Sequence, residues 1–533
     1  MQLNVFLATF LIVDVLLGST GVASAGSAHS ATALSIPKLT NPKLSADSHP
    51  NILFILTDDQ RHSAVGYAER EPVITPNLDD LSQRGVSFSN AHIMGAMSAA
   101  VCAPSRAMLM TGRNVFEVSA QGEFIDPSIA TLPQVLKNNG YFTFHTGKWH
   151  NDKASFARSF SGAEHIFFGG MSDQYQIPLY DFDQKGNYSA APSINPVKHS
   201  TDLYADAVID FLENYDKAQP FFAYVAFQSP HDPKQVPSEY FQLYQPNEFD
   251  DTANLLPQHP FDNGELDVRD EWLSPLPRTQ RDAKTHLAAY YAMITHIDAR
   301  IGDMLNVLKA RNMLDNTLII FSSDNGLSLG QHGLLGKQSL YEHSLRVPLL
   351  IAGPNMPVGE TRDELVYLSD MFPSLLDILN IDAPASVTQP SIYPLLNGSK
   401  QVESTVIHES PIFAYKNVQR AIKQDDYKLI EYNVKGSKHT QLFNVKSDPL
   451  ERNNLASLPA HADRIKKMHA SLQAQLTKAG DAAMLDTDDW SIPYIMQWGE
   501  QMQRPEKIET YHRLKKMAAE EHQMVMGYYG QDN

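Results

Sequence analysis

The chain has 533 residues, of which 43% are hydrophobic and 20% charged, with a formal net charge of -18. This composition excludes a disordered chain and a protein built of membrane spans, and the length, at roughly 100 to 200 residues per domain, calls for more than one domain. The acidic balance argues against a nucleic-acid binder, which needs a basic surface to displace counterions from phosphate, so any anionic ligand must meet a local basic pocket.

Residues 1–25 hold an apolar run, 5–17, broken only by Thr9 and Asp14, and end in Val22-Ala23-Ser24-Ala25. This reads as a signal peptide cleaved near Ala25, although no Lys or Arg precedes the run, and it predicts a secreted or periplasmic protein. No later run reaches the roughly 20 residues that span a bilayer. Residues 26–49, rich in Ser, Ala, Pro and Asn, read as a linker. A chain destined for a disulfide-forming compartment has a single cysteine, which cannot form an intrachain bridge, so Cys102 serves another purpose.

Residues 51–56, Asn-Ile-Leu-Phe-Ile-Leu, form an apolar run that stops at Thr57-Asp58-Asp59, as a buried parallel strand does when it delivers polar groups at its carboxyl end. The same pattern recurs at 221–227, followed by Ser229-Pro230-His231, and at 317–321, followed by Ser323-Asp324-Asn325. Between the last two, Leu287, Tyr290, Ile294, Ile297, Ile301, Met304, Leu305 and Leu308 repeat at helical spacing and predict a helix over 286–314. Alternating strands and helices imply an α/β fold, a large doubly wound mixed or parallel sheet flanked by helices over 50–400. From there the texture changes to short segments such as 420–422 and 427–432, separated by Gln424-Asp425-Asp426. These predict a smaller C-terminal α+β domain over 401–485 with an antiparallel sheet and a terminal helix. Residues 486–533 form an extension carrying Trp490, Tyr494, Trp498 and Tyr511.

Ligands of open α/β sheets bind at the carboxyl ends of the strands, where Asp58, Asp59, Asp324 and Asn325 fall. Hard oxygen donors of this kind suit calcium or magnesium rather than zinc. Either pair alone would more often mark a solvated turn or helix cap; two pairs, each ending an apolar strand, point to a shared cation.

Cys102-Ala103-Pro104-Ser105-Arg106, followed by Leu109, Thr111, Gly112 and Arg113, resembles the signature of the formylglycine-dependent sulfatases within the alkaline-phosphatase-like superfamily. Gly140-Tyr141 with Thr146-Gly147-Lys148-Trp149-His150 is similar to the second signature of that family. His231, Gly336-Lys337, Tyr341-Glu342, Arg346-Val347-Pro348 and, further on, Asp448-Pro449-Leu450-Glu451 continue the resemblance over nearly the whole chain beyond residue 50. The resemblance implies that a maturation enzyme oxidises Cys102 to formylglycine (3-oxoalanine) and that Asp58, Asp59, residue 102, Asp324 and Asn325 hold Ca2+, with Mg2+ as the alternative. It further implies that Arg106, Lys148, His150, His231 and Lys337 complete the sulfate pocket.

On this reading one hydroxyl of the hydrated aldehyde attacks sulfur, with Asp324 as proton acceptor. His231, helped by Lys337, protonates the leaving oxygen, Arg106, Lys148 and Lys337 stabilise the sulfuryl oxygens, and His150 takes the proton of the second hydroxyl so that sulfate leaves. The expected substrate is a sulfated glycan, an algal galactan such as carrageenan, or ulvan. The alternatives are a small aryl sulfate, a phosphonate or phosphate monoester, and a noncatalytic glycan-binding protein on the same fold. Specificity is expected from 160–200, 234–284 and the aromatic tail, where Arg269, Trp272, Arg278 and Arg281 could contact sugars or could equally anchor loops. His296, on the predicted helix, is expected to serve core or surface packing, and His332 and His343 are loop residues with no motif to assign them.

Overall fold

The computed structural model describes residues 49–188, 192–194, 197–397, 406–416, 419–481 and 497–529. The expected signal peptide, all of the linker except His49, the expected boundary near residue 400, and Trp490 and Tyr494 lie outside these residues.

The first apolar run forms the strand Asn51–Thr57, which pairs in parallel with Phe221–Ala226 on one side and Thr317–Ser323 on the other. An eight-stranded mixed sheet grows from this centre in the order Glu360–Arg362, Gly85–Phe88, Leu349–Ala352, Thr317–Ser323, Asn51–Thr57, Phe221–Ala226, Phe142–Lys148 and Gly162–Phe167. Leu349–Ala352 is the antiparallel member, paired with Thr317–Ser323 and Gly85–Phe88. The central strand is apolar from Ile52 to Leu56 because both its faces are covered. Ile52, Phe54 and Leu56 pack into one core with Leu109 and Phe372, from the helices Cys102–Thr111 and Met371–Ile378. Leu53 and Ile55 pack into the other with Val208 and Ile301, from Ser200–Asn214 and Gln280–Ala310.

The long helix spans Gln280–Ala310, not 286–314. It begins earlier because Thr279 caps it, accepting the Asp282 N–H while the Asp282 carboxylate takes the Thr279 N–H, a reciprocal pair that hydrophobic spacing does not report. It ends earlier because Asn312 adopts φ 54°, and Leu314 belongs to a separate short turn.

The smaller sheet runs Ser437–Asn444, Tyr427–Val434, Gln419–Gln424, Ile412–Tyr415 and Gly95–Ala96. Its first four strands are an antiparallel meander; the fifth, from far earlier in the chain, pairs in parallel with Ile412–Tyr415. Gly95 allows that approach: its φ is 97°, and a Cβ there would lie 2.1 Å from the Ala414 carbonyl oxygen. The helix Ala462–Ala479 buries Met468, Leu472 and Leu476. The last described helix, Ile508–Tyr528, buries Val525 among residues of the long helix and sets Tyr511 against Trp272 at 5.0 Å between ring centroids. No described helix is long and apolar enough to cross a membrane.

Candidate active site

The parallel register pairs Thr57 with Ser323, so the residues that follow, Asp58-Asp59 and Asp324-Asn325, leave the sheet side by side. Asp59 adopts φ 68°, which turns its N–H onto Asp324 Oδ1 at 3.2 Å. Tyr290 of the long helix fixes this turn, donating to the Asp59 carbonyl at 2.7 Å and accepting the Arg61 N–H at 2.9 Å.

Cys102 is the first residue of a helix whose ten residues are all buried. Its Sγ lies 3.2 Å from Asp58 Oδ1 and 3.7 Å from Asp59 Oδ1, and it accepts from Asn325 Nδ2 at 3.4 Å and Lys337 Nζ at 3.0 Å. Arg106, one turn later on the same face, donates to Asp324 Oδ2 at 2.7 Å and to the Lys148 carbonyl at 2.6 Å. Lys148 reaches Asp58 from the end of its own strand. A register shift between Thr146 and Gly147 turns that strand end; Gly147 has φ 102°, and a Cβ there would meet the Ala226 carbonyl oxygen.

His231 places Nε2 3.7 Å from Asp59 Oδ2. Its Nδ1 lies 2.8 Å from the Asp232 carbonyl and 3.3 Å from the Asp232 carboxylate, an acceptor pair that assigns the ring proton to Nδ1. His150, at φ 65°, leaves Nδ1 buried with no hydrogen-bond partner. The structure thus draws all ten residues singled out in the sequence, from six separate segments, to one end of the large sheet.

The electrostatics follow from burying so many charges. Burial raises the Asp58 carboxyl, but Lys148, His231 and Arg106 outweigh it and hold the group well below the usual carboxylate range. Burial raises Asp59, with Asp58 and Asp324 adding to the effect and Lys337 opposing it. Burial and then Asp58 raise Asp324. The Cys102 thiol is pushed well up by burial, Asp324 and Asp58, so at neutral pH it is not a thiolate nucleophile. Burial and Lys337 lower His231 to about 4, and burial with Lys148 and Arg106 lowers His150.

Three carboxylates and one carboxamide converge here, and Asp59 Oδ2 and Asn325 Oδ1 are buried without hydrogen-bond partners. Ligand atoms of Asp58, Asp59, Cys102 and His231 lie within 4.8 Å of one another. Unpartnered oxygens facing like charges are what a hard divalent cation coordinates, so the donor set fits calcium or magnesium.

Sequence reasoning missed three supporting residues. Asp232 orients His231 and is itself gripped by Arg269 through both guanidinium nitrogens. Asn151 donates to the Ala103 carbonyl at 3.2 Å, next to Cys102. Tyr290 looked only like core. The neighbour of a candidate histidine was a readable signal for Asp232; the other two depend on long-range contacts. Arg269 and Arg278 form ion pairs with Asp232 and Glu271 and so anchor loops. Trp272 packs against Trp498, 5.5 Å between ring centroids, as well as Tyr511.

The large mixed sheet, with this buried charged cluster at its strand ends, has the fold of solved sulfatases. Residues 50–381 match the sulfatase family, and residues 330–478 match the C-terminal region described as N-sulphoglucosamine sulphohydrolase. The chain belongs to the sulfatase family and is a sulfuric ester hydrolase. It is 25% identical to an N-acetylglucosamine-6-O-sulfatase of Bacteroides thetaiotaomicron over 505 residues, covering 81% of this chain and 87% of the relative. It is 28% identical to an ulvan-active sulfatase of Formosa agariphila over 456 residues, covering 81% and 82%. A protein solved in complex with its substrate D-glucosamine-2-N,6-O-disulfate shares the fold with a TM-score of 0.68 at 22% identity, covering 83% of this chain and 100% of that one.

Proposed function

We propose that the protein removes sulfate from a sulfated polysaccharide or oligosaccharide, such as an algal galactan or ulvan, using Cys102 after its oxidation to formylglycine. The observation that carries this reading is the position of Cys102 Sγ, buried between Asp58, Asp59, Asn325 and Lys337, where a thiolate is disfavoured but a hydroxyl would sit among oxygen donors and a cation. The sulfated-sugar names of two relatives support the substrate class.

Formylglycine, when formed and hydrated, supplies two hydroxyls, one to attack sulfur and one whose deprotonation lets sulfate depart. A divalent cation held by Asp58, Asp59, Asp324, Asn325 and residue 102 would supply Lewis acidity to the hydroxyl and to a sulfuryl oxygen. The remaining work belongs to side chains. Lys148 and Lys337 present point charges to the sulfuryl oxygens, and Arg106 holds Asp324 and the Lys148 carbonyl in place. Asp324 accepts the proton of the attacking hydroxyl.

His231 is neutral at neutral pH, with its lone pair on Nε2. An anionic sulfate ester beside the ring favours its protonated form, and the proton then goes to the leaving oxygen. His150, held neutral by burial and two cations, is the base for the second hydroxyl.

The test is expression with a formylglycine-generating enzyme, a peptide mass at residue 102, and sulfate release from an array of sulfated glycans beside an aryl sulfate and phenyl phosphonate. Release from a glycan by the oxidised protein supports the reading. Oxidised protein active only on the aryl sulfate or the phosphonate overturns the substrate class, and turnover by unmodified Cys102 overturns the nucleophile.

A further inference from the structure

A cavity of about 320 Å³ opens where residues 61–71, 331–346 and 449–451 meet, and none of its lining residues belongs to the constellation around Cys102. Its wall is rich in cationic and imidazole groups: Arg61, His62, Arg70, His332, His343 and Arg346.

Three carboxylates also line it, and each is neutralised. Glu71 pairs with Arg61 at 2.7 Å. Glu342 pairs with Lys428 at 2.9 Å and Lys423 at 3.2 Å. Glu451 shares Lys428 at 2.9 Å and accepts the Glu342 N–H at 2.7 Å. Arg61, Lys423 and Lys428 thus balance Glu71, Glu342 and Glu451 one for one. Among the described residues, Arg70 and Arg346 have no carboxylate within ion-pair distance.

The hydrogen-bond inventory points the same way. His62 is 5% exposed with Nδ1 unpartnered, His343 Nε2 and Arg346 Nε are buried without partners, and Arg70 stands at the exposed rim. Burial lowers His62 well below its ordinary range, and Arg346 and Arg70 add to the effect against an opposing contribution from Glu342. Arg346 gives one terminal nitrogen to the Ser89 carbonyl and keeps Nε free; with Arg70 and the unpartnered imidazole nitrogens it makes a donor set that receives the several oxygens of a compact anion.

We propose that this cavity is a second anion site, which takes a tetrahedral oxyanion of the sulfate class, free or carried on a sugar, between Arg70, Arg346 and His62. Because Pro449, Leu450 and Glu451 form one wall, an anion there ties the loop after the small sheet to the turn that follows Asp58 and Asp59. The inference rests on the cavity's own groups and requires no turnover at Cys102.

Equilibrium dialysis of the full chain against radiolabelled inorganic sulfate tests it. Lys148→Ala, which weakens sulfate at the catalytic position, is expected to leave one bound sulfate per chain. Adding Arg70→Ala or His62→Gln to that variant should weaken the remaining binding at least tenfold, while Arg70→Ala alone keeps aryl sulfate turnover within about twofold of the unsubstituted protein. A Lys148→Ala chain that binds no sulfate, or binding indifferent to both cavity substitutions, overturns the proposal. Competition with glucose 6-sulfate separates the two sources: stronger competition than by inorganic sulfate assigns the site to a glycan-borne group, and weaker competition assigns it to the free ion.

Discussion

Lys337 Nζ lies 3.0 Å from Cys102 Sγ and 2.6 Å from Asp59 Oδ1, so one buried ammonium touches both the cysteine and a carboxylate of the acidic cluster. Lys337→Ala is therefore expected to lower kcat by roughly 10² to 10³. The loss should be larger for sugar sulfates, whose alkoxide leaves poorly, than for an activated aryl sulfate. Parallel steady-state assays on the two substrates check this, and an equal loss on both would remove Lys337 from the leaving-group side.

Cys102→Ser offers one hydroxyl where the hydrated aldehyde would offer two. Attack on sulfur remains available but expulsion does not, so the variant should retain one sulfuryl group per chain and lose steady-state turnover by a factor on the order of 10³ or more. Intact-protein mass before and after exposure to substrate reads this directly, and repeated turnover without mass gain would sink the two-hydroxyl cycle.

Asp58, Asp59 and Asp324 crowd together, with Asp59 Oδ2 and Asn325 Oδ1 unpartnered. Saturating calcium should stabilise the protein by about 2.7 kcal/mol at a hundredfold excess over Kd. Thermal melts after chelation, with and without added calcium, are the measurement; a Tm that ignores calcium in the parent and rises with it in Asp59→Ala would contradict the assignment.

Arg269 grips Asp232, whose carboxylate is held far below the usual range because Arg269 and His231 outweigh its burial. Arg269→Ala leaves that charge buried beside the His231 ring, at a cost of about 3 to 5 kcal/mol. Relieved of its arginine, Asp232 should also raise the His231 pKa, moving the corresponding limb of the kcat/KM profile to higher pH. Arg269→Lys should restore part of the stability; a profile that does not move would limit Asp232 and Arg269 to a structural role.

His199 caps the helix Ser200–Asn214, accepting the Thr201 N–H on Nδ1 with Nε2 on the Gln235 carbonyl, and burial followed by the neighbouring His296 lowers it to about 3. Its folded pKa lies below the unfolded value of about 6.5, so below that pH the unfolded chain binds a proton that the folded chain refuses. Stability from this group is present above about pH 6.5 and is lost as pH falls toward 3, by at most about 1.4 kcal/mol per pH unit. Asp298, raised to about 6 mainly by burial, acts with the opposite sign over its own range. His199→Asn keeps the capping acceptor without the titration, so its urea midpoint should fall less between pH 7 and pH 4.5 than that of the parent. An equal fall in both would show that His199 stays uncharged in the unfolded state or charged in the folded one.

The central strands were legible because a run such as Ile52 to Leu56, buried on both faces, has no polar position to disguise it. The site residues were legible because each sits at the end of such a run or in a short local motif. Their mutual placement was not: the contact of Asp59 with Asp324 depends on a pairing between strands some 265 positions apart, and nothing in either segment announces its partner. The same limit hid Tyr290, Asn151 and the Arg269 clamp on Asp232, each defined by contact rather than by neighbours in the chain. Caps explain the displaced ends of the long helix, since apolar periodicity marks the buried face of a helix but not where its backbone donors are satisfied.

The parallel partner that Gly95–Ala96 finds in Ile412–Tyr415 also orders events in time. Those two residues lie just ahead of Cys102, yet the strand that locks them is made only after more than three hundred further residues have been joined. At roughly 5 to 20 residues per second, a ribosome leaves an interval on the order of tens of seconds before the small sheet can close over that edge. An enzyme that must reach the Cys102 segment as an extended chain has part of its opportunity then, while the edge just ahead of that segment still lacks its partner strand.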